Sequence, residues 1–178
     1  MQAGFTNQQV DIEQLPDLDN INFQQLSEKY APTNFKIGLF VLLILALIIA
    51  TIRLQPWLDL GAGQMPITLV SGSVWLFIVF TVIYNKLADP IKTYALREHD
   101  LSYSEGLIFK KIITQPISRI QHIELKRGPI ERKIGLATLQ VFSAGGAMHT
   151  FVIPGLALND AEQLRQFILQ HKDSEQHG

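Results

Sequence analysis

The chain contains no cysteine. A disulfide framework, a thiol nucleophile and a thiolate metal site are therefore excluded, and cysteine usage says nothing about compartment. Metal-ligand spacing is missing too. His99, His122, His149, His171 and His177 form no H-E-x-x-H pattern. Ser118 and Ser143 lack a nucleophile-elbow context. Gly145-Gly146 reads as a two-glycine hairpin turn rather than a phosphate loop, because no helix follows it directly. His122 and Glu124 lie two apart on a predicted strand and share a face, as an exposed polar couple does. With no catalytic constellation, the expectation is a protein that is not an enzyme and uses no cofactor or metal.

Charge is absent from two long stretches, residues 37–52 and 67–84. A hydrocarbon core of about 30 Å needs roughly 20 helical residues. The second stretch supplies 18; the first supplies 16 and is extended by Phe35 and Leu54. Lys36 and Arg53 stand at its ends, where long side chains snorkel to headgroups. The rest of the chain has little material to cover two such helices, so they read as a membrane hairpin with spans at about 35–54 and 67–84. A signal peptide does not fit. Its apolar segment would follow a basic stretch near the N-terminus, whereas here Asp11, Glu13, Asp17, Asp19 and Glu28 stand against Lys29 alone. Neither span carries the internal ionisable group that intramembrane chemistry uses.

The charge that is present is segregated. The whole chain has a formal net charge of −1, yet residues 85–135 carry ten Lys/Arg against six Asp/Glu. A basic segment directly after a span suggests contact with anionic headgroups. Lys29, Lys36, Lys86, Lys92 and Arg97 flank the spans on one side, and only Arg53 lies in the intervening loop. The positive-inside rule then predicts a multi-pass protein of the bacterial inner membrane with both termini cytoplasmic.

Four regions follow. Residues 1–34 are an acidic cytoplasmic segment without sustained periodicity, its last part leading into the first span with a turn at Pro32. Residues 35–84 are the hairpin. Its loop holds Pro56, Gly61, Gly63 and Pro66, with Trp57 at an aromatic-belt position. Ser71-Gly72-Ser73 in one span and Gly38, Ala46 and Ala50 in the other offer small surfaces for close helix approach. Residues 85–172 change period. Short strands are expected around Tyr94 and Leu96, Leu101 and Tyr103, residues 107–113, 117–125, then Leu136, Leu139 and Val141, and finally Met148, Phe151 and Ile153. Glu98-His99-Asp100, Glu105-Gly106, Gln115-Pro116, Gly128-Pro129, Gly145-Gly146 and Pro154-Gly155 are turn signals between them. This spacing indicates an antiparallel sandwich or barrel. A helix closes the domain, with Asn159 and Glu162 in capping-box spacing and Ala161, Leu164, Phe167 and Ile168 on one face. Residues 173–178 are a tail.

Two spans followed by strands and one helix resemble the bacterial pleckstrin-homology (PH) family of membrane-flanked domains, the YdbS-like group. The resemblance is carried by Tyr94-Ala95-Leu96, Leu101 through Gly106-Leu107, Pro116-Ile117-Ser118-Arg119-Ile120-Gln121 and Gly128-Pro129-Ile130-Glu131-Arg132. Gly135-Leu136-Ala137-Thr138-Leu139, Ala144-Gly145-Gly146 and Pro154-Gly155-Leu156 complete it. It implies a membrane α-helical hairpin plus an α+β or all-β PH-like domain, a bent seven-stranded antiparallel sandwich capped by the C-terminal helix. It also implies a non-enzymatic interaction module. The partner would be a larger membrane relative with several copies of the domain, or a second copy of this chain, and the expected role is envelope protection.

The candidate contacts are basic. Lys126-Arg127 precede Gly128-Pro129, and Arg132-Lys133 follow between Ile130 and Ile134; Lys110, Lys111 and Arg119 are expected to join the same patch. This set is expected to meet either a partner or an anionic phospholipid surface, with each basic residue adding about 1 kcal/mol of attraction to the latter. Glu124 and Glu131 dilute it. Eukaryotic relatives in the wider superfamily bind phosphoinositides through a basic first hairpin. The corresponding connection is read here as Glu98-His99-Asp100, with only Arg97 beside it, which argues against an inositol-phosphate pocket. The patch lacks interleaved stacking aromatics, so nucleic acid is not expected as a partner. A lipid sensor and an integral-membrane enzyme are the competing readings.

Overall fold

A computed structural model describes residues 21–54, 64–143 and 151–176. Pro56, Trp57, Gly61 and Gly63 of the hairpin loop, the Gly145-Gly146 turn, Met148 and the first 20 residues lie outside them, whereas Pro66, expected in that loop, lies in the first turn of the second long helix, where a missing N–H costs nothing. Two helices of 25 residues form the hairpin, α1 over Tyr30–Leu54 and α2 over Gln64–Ala88. At 1.5 Å per residue each is about 37 Å long, more than a hydrocarbon core requires. The most apolar stretch of each contains no buried residue. The helices approach closely at Gly38, where an added Cβ would lie 2.9 Å from a Val82 methyl carbon.

Seven antiparallel strands make two sheets. The first sheet has the order β1 (Gln24–Gln25), β2 (Thr93–Leu96), β3 (Asp100–Glu105) and β4 (Lys111–Pro116). The second has β5 (Ile120–Lys126), β6 (Leu136–Ser143) and β7 (Phe151–Ala157). A short helix, α3 (Pro129–Ile134), joins β5 to β6. The closing helix, α4 (Leu158–Gln176), puts Ala161, Leu164 and Ile168 into the core with Leu101, Tyr103, Leu139, Val141 and Ile153. That buries the apolar stripe that its 3.6-residue spacing predicts.

The first strand comes from an unexpected place. β1 belongs to the N-terminal segment and pairs Gln24 with Tyr94 and Gln25 with Thr93. The connection from β1 to β2 is therefore the whole membrane hairpin. The helices are inserted between the first two strands of the sandwich, rather than tethering a domain that begins at residue 85. Leu26 enters the core and Tyr30 packs against it. The Ser27 N–H donates to the Gly155 carbonyl at 3.0 Å. Pro32 makes no turn. It occupies the first turn of α1, where its missing N–H would be unpaired in any case.

Other boundaries shift for local reasons. Residues 107–110 form the turn between β3 and β4, and the strand begins at Lys111. Pro154-Gly155 lies inside β7 at a register shift, not between elements. Gly155 has φ +65°, and its missing Cβ leaves room for the Tyr30 ring, whose Cγ would otherwise be 2.2 Å away. Asn159 is not the cap of α4, which starts one residue earlier at Leu158, whose N–H donates to the Gly135 carbonyl at 3.0 Å. Ser102 and Ser104 are buried although they alternate with Leu101 and Tyr103. β3 lies between β2 and β4, and the Ser102 hydroxyl pairs with Thr114 Oγ1 at 2.8 Å.

Candidate functional site

The register defines one end of the molecule. Gln25 pairs with Thr93, and Thr93 pairs with Ser104, so the entry to α1, the exit from α2 and the β3–β4 turn share an end of the first sheet. A cavity of about 300 Å³ brings α3 to the same end, because Tyr30, Thr33, Asn34 and Ile37 line it together with Ile130 and Ile134.

Asp89 holds this end together. It sits in a 3-10 turn, Asp89–Ile91, between α2 and β2, and is only 2% exposed. Its Oδ2 accepts from Asn34 Nδ2 at 2.6 Å and its Oδ1 from Lys92 Nζ at 2.8 Å. A buried carboxylate requires such partners. The Lys92 ammonium also lies 5.6 Å from the Tyr30 ring centroid, and Lys86 covers Phe35 at 4.8 Å. Burial alone would lower the Lys92 pKa. The Asp89 hydrogen bond, with the Tyr30 and Asp89 charges, outweighs it and holds the group above its ordinary 10.5. Tyr103, stacked on Phe151 with centroids 6.2 Å apart, has its phenol pushed up first by burial and then by the Glu105 charge, so it stays neutral.

The α3 segment is braced by its own charges. Glu131 Oε2 accepts from the Gly128 N–H at 2.6 Å, the acidic half of a capping box, and Oε1 accepts from the Thr138 hydroxyl at 2.7 Å. Gly135 ends the helix at φ +78°. Arg127 Nε donates to the Leu136 carbonyl at 3.2 Å, and Arg132 Nε donates to the Arg127 carbonyl at 3.3 Å. These guanidiniums brace the turn and keep their charge at its surface. Lys126 Nζ is 3.3 Å from Glu124, which is 3.4 Å from His122 Nε2. His122 and Glu124 are thus the surface couple expected from their spacing.

Lys126, Arg127, Arg132 and Lys133 surround α3 at the helix-bearing end, and Lys110 in the β3–β4 turn and Lys111 at the start of β4 lie at that end. Arg119 does not join them. It lies past Pro116, which pairs with Asp100 at the opposite end of the sheet. Five residues of strand separate that level from Lys111, about 17 Å. The Glu98-His99-Asp100 turn lies at the far end too, and is the second connection of the fold, not the first. Arg97 is engaged there with Asp100 through two bonds of 2.8 and 2.5 Å.

The bacterial PH domain family model matches residues 31–172. The chain belongs to that family. The bacterial PH domain here is also 32% identical over 101 residues to the transmembrane protein YdbS of Bacillus subtilis (strain 168). The match covers 56% of this chain and 62% of that relative, so the chain spans less than two thirds of the relative's length. No solved structure matches it. This PH domain protein is a membrane protein with two candidate spans.

The Asp89, Asn34 and Lys92 cluster of this bacterial PH domain was not expected from the sequence. Asp89 lies 55 positions from Asn34 and only folding brings them together. The one local signal is an acidic residue followed by Pro90 at the end of an apolar helix, with Lys92 three residues on.

Proposed function

We propose that this chain is a non-catalytic, membrane-anchored interaction module, a subunit of a membrane complex with a related protein that carries further copies of the PH-like domain. The observation behind this reading is the space between the two helices. Ala46 and Ala50 on α1 and Ser71, Gly72 and Trp75 on α2 line a gap of about 350 Å³, and an added Cβ on Gly72 would meet nothing within 4 Å. Small residues in membrane helices favour close approach of another helix, and none of the described residues fills that space. The basic flanks favour a bacterial inner-membrane location with both termini cytoplasmic, and envelope protection is the proposed role. Affinity purification from gently solubilised membranes tests the reading. A related PH-domain protein should co-purify and be depleted by Gly72→Leu. A lone monomer, under conditions that keep other membrane complexes intact, overturns it.

A second reading has its own observation. The cavity between α1 and α3 is lined mostly by apolar side chains, with Glu131 its one charged residue, but Lys126, Arg127, Arg132 and Lys133 flank the α3 segment that lines it, and their charges favour an anionic headgroup outside its rim. Lys126→Gln with Lys133→Gln removes two charges without removing the arginine-to-carbonyl bonds of α3. Loss of phosphatidylglycerol retained by the full chain in native mass spectrometry supports a headgroup site. Unchanged retention removes it.

A further inference from the structure

The β3–β4 turn exposes three consecutive apolar side chains. Leu107 is 41%, Ile108 70% and Phe109 87% exposed, and exposed Lys110 and Lys111 follow. The turn is tightly built. Gly106 has φ +103°, and a Cβ there would fall 2.1 Å from the Phe109 carbonyl oxygen. Its position is fixed by register, since Glu105 pairs with Lys111 and Ser104 with Thr93, two residues beyond the 3-10 turn that ends α2. At about 3.3 Å per residue the tip reaches about 10 Å past the Thr93 level on the side where both helices enter.

A second observation points the same way. Among the described residues after Ala88, the exposed large hydrophobics are Ile91, Leu107, Ile108, Phe109, Ile130 and Leu169. All but Leu169 lie at the helix-bearing end. Scattered exposed apolar residues need no explanation, but a one-sided cluster with lysines beside it marks a contact surface. The lysines match phosphates, and the apolar tip matches the acyl boundary beneath them.

We infer that the β3–β4 turn is a third membrane attachment, with Ile108 and Phe109 inserted into the leaflet that α1 and α2 enter and Lys110 and Lys111 at its phosphates. The inference requires only that the two helices cross a bilayer, and it stands or falls separately from the partner proposed above. The domain would then be held by two helices and a loop, which fixes its tilt as well as its position.

The absence of cysteine makes the test clean. Single variants I108C and F109C carry an environment-sensitive fluorophore, with E98C at the opposite end as control. Each full chain is placed singly in nanodiscs of phosphatidylcholine and phosphatidylglycerol. Labels at 108 and 109 should emit at shorter wavelength than at 98, resist iodide quenching several-fold better and be quenched by acyl-chain nitroxides. The same label in L107C should lose that protection when Ile108 and Phe109 are both serine. Iodide quenching equal to that of E98C overturns the inference. So does protection without acyl-chain quenching, which would place the loop against protein instead of lipid.

Discussion

At the residue scale, Asp89 and Gly155 carry the most structural consequence for their size. Asp89→Ala would leave the Lys92 ammonium without its carboxylate. Removing one partner of a fully buried pair costs roughly 3–5 kcal/mol; with the Lys92 side chain 18% exposed, the loss should fall at or below that range. Amide hydrogen exchange across β2 and β3 in nanodiscs, against temperature, measures it. The pH dependence has a definite sign. The folded pKa of Lys92 is raised, so its contribution is complete below the ordinary 10.5 and is lost only as pH rises through the folded value. The stability gap between wild type and Lys92→Met should therefore stay level from neutral pH to about 10 and narrow above it. A gap that closed between pH 6 and 8 would contradict this assignment. Gly155→Ala meets two obstacles, a positive φ and the Tyr30 ring. It should cost about 1–3 kcal/mol. In a double-mutant cycle with Tyr30→Ala, the clash with the ring should vanish, while the contact with the retained residue-30 Cβ, 2.7 Å away, and the backbone part, about 1–2 kcal/mol, persist.

At the scale of elements, β1 shows how little of a strand is needed when its neighbours are fixed. Two exposed glutamines form it, and it becomes a strand only because β2 offers an edge and Leu26 follows into the core. Replacing Gln24 and Gln25 with proline removes both N–H donors. Successive N–H groups of β2 face opposite neighbours, so amide exchange should accelerate at the one of Thr93 and Tyr94 whose N–H faces β1, while the other, β5 and β6 keep their protection. Uniform acceleration across both sheets would instead show that β1 is integral to global stability. No periodicity could reveal this strand, since two polar residues have none. By contrast, α4 was legible because its apolar residues recur at helical spacing. The arrangement of the basic residues was partly legible. Lys126, Arg127, Arg132 and Lys133 are close in sequence and stay close around α3, whereas Arg119 is carried to the other end by the direction of β4.

At the scale of the whole molecule, insertion of the hairpin between β1 and β2 joins membrane and domain at two points. Because Gln25 and Thr93 are paired neighbours, the sandwich itself does not need the helices to close. A chain with residues 31–88 replaced by a short Gly/Ser turn should be soluble and β-rich by circular dichroism. A fragment of residues 88–172 lacks β1, Leu26 and Tyr30, and should melt lower or aggregate. Each large apolar side chain withdrawn from the core forfeits about 1.5–3 kcal/mol. Equal melting temperatures for the two would show that the N-terminal segment adds nothing to the fold.

Sequence alone determined the hairpin, the strand-rich domain and its closing helix, because runs without charge and the periods of two and 3.6 residues are local properties. It also determined the family, through turn residues kept in order. Tertiary structure decided where the domain begins, what binds the helices to it and which basic residues share a face. Those depend on contacts between residues far apart in the chain, Gln25 with Thr93, Asn34 with Asp89 and Tyr30 with Gly155, and no local pattern records them. The exposed 107–109 turn belongs to the same class. Its apolar residues read locally as the start of a strand, and only the register of β3 with β4 turns them outward at the end where the helices enter.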